Sequence, residues 1–437
     1  MKRRQRGSAF VVTLVILAGL VAVVASVANN QRVAFRSQIS RQQRERAHLA
    51  ALAGIQRAIA VLATIPAPGQ SGQTTTTTGN TTSQSGAITL QDDWATLGQT
   101  GSEKFIVGNA SFRLQIVDAS SFVNINSATE DQWNKLPLAP EEIASILDYR
   151  TTGSAARPLG AKDDYYNALA EPYNAKLANF ETVDELLQVK GLTAKILYEL
   201  RTDVQTSNPL PTDINGNTVP LADLLTAVSY SARLNPQGQA LINVGGAAGA
   251  ANRRQRLQAL GFSANFLNQI APAQGPQPTF ATVGAICARA SSADDLAKVL
   301  DNLATDAQPR QLGRININTA PESVLQTVPG ITPDLATAIV QRQTQGFASL
   351  GEVTQVPGIT SQVLSQCADL LTASSQTFYV RIVGTSGQTS VAVLALIDVE
   401  NGTPKLLMVQ DQPFNDMITR WNWPTDTNVD TTLKEAA

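Results

Sequence analysis

With 437 residues, 43% of them hydrophobic and 5% aromatic, the chain has room for two or three domains and enough apolar mass to fold. A formal net charge of −2 excludes a global field that would gather nucleic acid or anionic lipid, so local charge placement is more informative. One histidine, His48, and two cysteines, Cys287 and Cys367, supply no second base or ligand nearby for a histidine triad or a zinc site.

Lys2, Arg3, Arg4 and Arg6 crowd the start, residues 8–31 carry no charge, and residues 9–28 form a nearly continuous apolar run. As a helix rising about 1.5 Å per residue, such a run covers the roughly 30 Å hydrocarbon layer of a membrane. A secretory signal cut after the run would need an Ala-x-Ala arrangement, and residues 24–30 offer a poor version of it. Arg6-Gly7-Ser8 instead supplies the short basic leader ending in glycine of a prepilin signal, which predicts cleavage between Gly7 and Ser8 with the apolar helix retained. Arg32, Arg36, Arg41, Arg44 and Arg46 make the positive-inside count ambiguous. The leader therefore sets the expected orientation: N-terminus in the cytoplasm, a single pass through the inner membrane, and the bulk in the periplasm. Leu49, Leu52, Ile55, Ile59 and Leu62 then make one apolar stripe at helical spacing. Span and stem read as one helix ending near Pro66, or as an anchor followed by an independent amphipathic helix.

Residues 66–86 are rich in Thr, Gly, Ser and Gln, with threonine throughout 74–78, and read as a flexible linker. Beyond it the period changes to two. Phe112, Leu114 and Ile116 alternate with Arg113 and Gln115, and Gly108-Asn109 turns the chain after residues 104–107, predicting a β-hairpin. A second β region covers residues 378–383, 390–398 and 406–410, with turns at 385–388 and at Asn401-Gly402. The pattern between the two β regions is helical. The fold class is therefore α+β: a leader (1–7), a transmembrane and stem helix (8–65), a linker (66–87), one antiparallel sheet from 88–123 and 373–437, and a helical insertion (124–372).

The insertion repeats itself. Asn124-Ile125-Asn126-Ser127-Ala128 recurs as Asn316-Ile317-Asn318-Thr319-Ala320, and a constant offset then aligns Pro137 with Pro329, Ala144 with Ala336 and Arg150 with Arg342. After a gap, Phe180, Glu185, Val189, Gly191 and Thr193 match Phe347, Glu352, Val356, Gly358 and Thr360. A third, degraded copy starts at Leu241-Ile242-Asn243-Val244 and includes Phe280-Ala281-Thr282-Val283; its Gly245, Gly246 and Gly249 miss the spacing of a dinucleotide loop.

Three turns share the form apolar-x-Gly-apolar-Thr: 189–193 with Gly191 and Thr193, 328–332 with Gly330 and Thr332, and 356–360 with Gly358 and Thr360. Glycine is expected in the left-handed conformation that ends one helix, and threonine as the cap of the next. This is the helix-hairpin-helix pattern, whose amides hold a DNA phosphate when a second glycine allows close approach and bases neutralise it. Here threonine replaces that glycine. Acids also outnumber bases, thirteen to eight over residues 120–205 and four to two over 314–372. Structural or protein-binding use is expected, with no nucleic acid bound. The Thr385-Ser386-Gly387 stretch is a turn and no nucleophile elbow, and no other catalytic group is apparent, so no enzyme is expected. Cys287 and Cys367 fit either a disulfide or a pair of reduced core thiols.

The basic leader with Gly7-Ser8, the apolar helix, the Asn-Ile-Asn segments, Leu147-Asp148-Tyr149-Arg150, Asp163-Asp164-Tyr165-Tyr166, the stretch 180–191 and the terminal Phe378-Tyr379-Val380-Arg381-Ile382 together resemble the K-type minor pseudopilins of type II secretion systems. The resemblance covers nearly the whole chain in order. It implies a pseudopilin fold with an inserted helical domain, processing by prepilin peptidase, and a place at the filament tip beside I- and J-type subunits, in contact with secreted cargo. It also implies calcium held by acidic residues in the first part of the insertion. Asp148, Asp163 and Asp164 match that pattern, whereas Thr151 and Gly153 stand where acids are expected. With Ser8 first, the fifth mature residue is Val12, where similar subunits carry Glu; that departure is the expected mark of a tip subunit. The alternative reading is a DNA-binding minor pilin of a type IV pilus or competence system.

Overall fold

The computed structural model describes residues 6–66, 86–201, 211–212, 217–246 and 250–413, together with 417, 418, 420, 421, 423 and 424. The leader residues 1–5, most of the linker and the end of the C-terminal region lie outside the described residues.

A single helix, α1 (Arg6–Leu62), runs 57 residues, about 85 Å at the α-helical rise. Span and stem are thus continuous. Its apolar first half is uncovered by protein: Phe10, Val12, Leu17 and Val24 are all more than half exposed. Among the described residues it is the one helix long and apolar enough to cross a membrane. The second half packs on a sheet through Leu52, Ile55, Ile59 and Leu62 of the stripe read from the sequence, and only Leu49 of that stripe departs. Leu49 is 62% exposed, and the buried face is Ala47, Ala50, Ala51, Ile55, Ala58 and Leu62. The reason is distance. A methyl group on Gly384 of the sheet would overlap the Ala47 carbonyl oxygen, and one on Gly54 would come within 3.0 Å of Phe112. The helix lies so close there that Ala47 fills the contact, and Leu49 is turned outward.

The sheet has five antiparallel strands in chain order: β1 (Phe105–Val107), β2 (Ala110–Asp118), β3 (Thr377–Ser386), β4 (Thr389–Glu400) and β5 (Thr403–Gln412). β2 pairs directly with β3, from Asp118 opposite Phe378 to Ser111 opposite Thr385, so segments from both sides of the insertion build one sheet. Period-two alternation puts Phe112, Leu114, Ile116, Phe378, Val380, Ile382, Val393, Ala395 and Ile397 on the face that meets α1. Fully burying each large apolar side chain contributes about 1.5–3 kcal/mol. On the opposite face Val383 and Ala392 are covered by Met417, Trp421 and Trp423, and Arg113 lies over the Trp423 ring and donates to the Pro424 carbonyl.

The insertion holds three units, each closed by a two-residue parallel pairing: Val123–Asn124 with Leu225–Thr226, Ile242–Asn243 with Leu303–Ala304, and Ile315–Asn316 with Leu371–Thr372. In the outer units an asparagine, half-buried at 126 and buried at 318, brackets a distant phenylalanine. Asn126 accepts from the Phe180 amide at 2.8 Å and donates to its carbonyl at 2.8 Å; Asn318 does the same to Phe347 at 2.7 and 2.9 Å. The middle copy has Gly245 at this place, and a side chain there would overlap the Thr305 carbonyl, so the bracket is lost and only the turn held by Asn243 remains.

The constant offset between first and last units also needs correction. The matched helices are α2 (Pro140–Arg150) and α3 (Pro333–Gln343), one residue out of step with an alignment of Arg150 to Arg342. Arg150 donates to the carbonyls of Ile125 and Ala128, and in the last unit Gln343 donates to Ile317 and Ala320 at 2.9 and 2.8 Å. Gln343, not Arg342, is therefore the counterpart of Arg150. The slip arises at the turn before α2, which lacks the glycine residue of 328–332 and is one residue shorter.

Candidate functional site

The hairpin turns are held as tight backbone reversals. Gly191, Gly330 and Gly358 have φ of 84°, 82° and 91°, a region that only glycine adopts freely. Thr193, Thr332 and Thr360 accept from the amides of Ile196, Leu335 and Val363, each capping the helix that follows. The elements before Gly191 and Gly358 are 3₁₀ turns, Val183–Gln188 and Leu350–Gln355, rather than α-helices. A fourth hairpin escaped the sequence pattern: in the middle unit Gly261 has φ 70° and Ser263 accepts from the Phe266 amide. Serine does there what threonine does elsewhere, and a search allowing either hydroxyl would find it.

Gly191, Gly261 and Gly358 are exposed and Gly330 is half-buried, but in the last unit the place a side chain would take on each glycine is occupied by protein. A methyl on Gly358 would come 2.8 Å from Leu335 of α3, and one on Gly330 would come 3.0 Å from Gln366 of the helix Ser361–Cys367, so the two hairpins of the last unit pack on each other's helices. Lys135 of the first unit donates to the carbonyls of Gln326 and Val328, at 3.2 and 2.9 Å, beside the Gly330 turn. The middle and last units exchange caps. Asp301 accepts from Ser349 Oγ at 2.9 Å and the Gly351 amide at 2.7 Å, while Asp369 accepts from the Val283 and Gly284 amides at 2.9 Å. The repeats therefore use their turns and acids to bind one another.

Residues 128–205 match the family model for protein K of the type II secretion system, and residues 311–372 match that for the helix-hairpin-helix motif. Over these residues the chain is similar to protein K of the type II secretion system. Among solved structures, a chain of the GspK-GspI-GspJ complex from the enterotoxigenic Escherichia coli type 2 secretion system is similar at 14% identity and a TM-score of 0.48, over 87% of this chain and 99% of that one. A search of curated proteins finds no match.

The segment similar to protein K contains the three carboxylates of the calcium expectation, and they do not converge. Asp148 is buried and accepts from the Arg157 amide at 2.9 Å, with Arg157 Nε at 3.9 Å. Asp163 accepts from the Ala175 amide at 2.8 Å, and Asp164 is exposed. Among the described residues no three His, Cys, Asp or Glu side chains gather as a metal site. The donor set does not fit a calcium ion, which takes six or more oxygens.

Polar groups concentrate where the insertion meets the sheet. Asp118, at the end of β2, is fully buried and accepts from the Ser120 amide, Asn316 Nδ2 and Thr319 Oγ1 at 2.7, 2.8 and 2.7 Å. Burial raises its pKa, against these hydrogen bonds, which lower it. Arg310 reaches from the insertion to Asp398 on β4 and stacks on Tyr230 at 4.6 Å. Neither contact was legible in the sequence. Cys287 and Cys367 are free, buried thiols.

At the other end of the chain, Gly7 and Ser8 belong to the helical run of α1, and Val12 is 56% exposed on its apolar stretch. Gly7, Ser8 and the hairpins thus lie in separate parts of the molecule.

Proposed function

We propose that the chain is a minor pseudopilin at the tip of a type II secretion pseudopilus, starting filament assembly with I- and J-type minor pseudopilins and supporting protein secretion across the outer membrane. The observation that carries this reading is one continuous helix, bare and apolar in its first half and packed on an antiparallel sheet in its second, joined to a protein K domain. In this proposal prepilin peptidase cuts between Gly7 and Ser8, the helix remains in the inner membrane with the N-terminus cytoplasmic, and the periplasmic insertion meets secreted cargo.

Val12 supplies the argument for the tip. In a bundle of such helices a carboxylate at the fifth mature position neutralises the terminal ammonium of the subunit added before it. An unpaired buried charge costs on the order of several kcal/mol, so a subunit with valine there adds poorly beneath another. The first subunit has no predecessor, and the bulky insertion obstructs repeated shaft packing. Labelling the insertion on isolated filaments tests this: label confined to one end is expected, and regular decoration along the shaft overturns it. Intact mass of the membrane form checks the cut after Gly7. Co-purification with I- and J-type subunits checks the partners.

The helix-hairpin-helix match at 311–372 favours a second reading, DNA capture by a type IV or competence pilin. Threonine in place of the second glycine and the acidic balance speak against it. Duplex DNA binding no better than that of an acidic control protein is expected; a sub-micromolar affinity that weakens steeply with salt would favour the second reading.

A further inference from the structure

Lys162 is only 5% exposed, an unusual place for an ammonium group. Its Nζ donates to the Asp148 carbonyl at 2.6 Å and to the Thr151 carbonyl. Both belong to the C-terminal end of α2, where unpaired carbonyls and the helix dipole gather negative charge. The loop from 151 to 161 contains no acid, and Arg157 within it pairs through its amide with the Asp148 carboxylate. The middle of the loop is thus pinned by Asp148 and its end by Lys162, and the carbonyl oxygens that a cation would collect already hold one.

We infer that Lys162 is the resident cation of the first unit: its ammonium does for the 151–162 loop what a divalent ion would do, so the protein K domain of this chain is ordered without metal. A lysine suits this role because three donors on a compact charge satisfy carbonyls directly, whereas the acids that would attract calcium are replaced by Thr151 and Gly153. Removing the ammonium leaves the Thr151 carbonyl without its donor and the Asp148 carbonyl with only the Thr151 amide at 3.3 Å, and takes away the tie at the end of the loop.

Hydrogen exchange of the full-length chain in detergent micelles, read by mass spectrometry over residues 151–161, tests the inference. Wild type is expected to exchange at the same rate in chelator and in millimolar calcium. Lys162→Met is expected to exchange roughly tenfold faster in that segment, equally in both buffers, because local opening becomes easier. Calcium that slows wild-type exchange, chelator that hastens it, or a Lys162→Met variant with wild-type protection would each overturn it. If Lys162→Met opens the whole insertion, Lys162→Arg decides: retained protection supports a cation requirement, and equal loss refutes it.

Discussion

Arg310 grips Asp398 with both arms of its guanidinium, Nη1 lying 3.0 Å from Oδ2 while Nη2 donates to Oδ1. The two residues are 88 positions apart and join the insertion to β4, and Arg310 Nε also donates to Gln376 at 2.7 Å. Their side chains are only 20% and 11% exposed, so the pair is mostly desolvated. Arg310→Ala leaves Asp398 unpaired and is expected to cost about 3 kcal/mol, whereas Arg310→Met with Asp398→Leu recovers most of the loss. Urea melts of the purified chain measure it, and an unchanged midpoint for Arg310→Ala would refute the role.

The approach of α1 to the sheet gives a second expectation. Gly384→Ala places a methyl on the Ala47 carbonyl and is expected to destabilise by on the order of 3 kcal/mol through overpacking. Leu49→Ala, on the face turned away, is expected to change stability by less than about 0.5 kcal/mol in the isolated chain. A larger effect at Leu49 than at Gly384 would return Leu49 to the buried stripe.

Asp118 makes a prediction about pH. Its folded pKa is raised above the ordinary 3.8, chiefly by burial, so the folded state keeps the proton to higher pH than the unfolded state does. Its contribution is therefore greatest below 3.8, declines as pH rises through the raised folded value, and then levels. The stability difference between wild type and Asp118→Asn should shrink across that window in denaturation series from about pH 3 to 7. A difference that grows with pH would mean that the carboxylate is stabilised in its ionised form.

Burial pushes the thiols of Cys287 and Cys367 each up to about 12, so neither forms thiolate at neutral pH. Cys367 also donates to the Val363 carbonyl at 3.3 Å. Alkylation of the native chain is expected to be slow at both positions and fast at both in denaturant. Rapid labelling of either in the native state, read by peptide mass, would contradict this burial.

What the sequence determined by itself was local: the charge-free run of 8–31, the turn glycines 191, 330 and 358 with their threonine caps, and the two Asn-Ile-Asn segments whose side chains fold back on their own backbone. These features depend on residues a few positions apart, and chain connectivity already brings such residues together. The tertiary structure decided which helical face is buried, because Ala47 and Leu49 differ in outcome only once Gly384 sets how near the sheet lies. It decided that Gln343 answers Arg150, since a one-residue difference in a turn is invisible until both carbonyl pairs are located. It also decided that Asp118, Arg310 and Lys162 find their partners. Burial makes such polar contacts obligatory, and burial is a property of surfaces that meet only after the chain has folded.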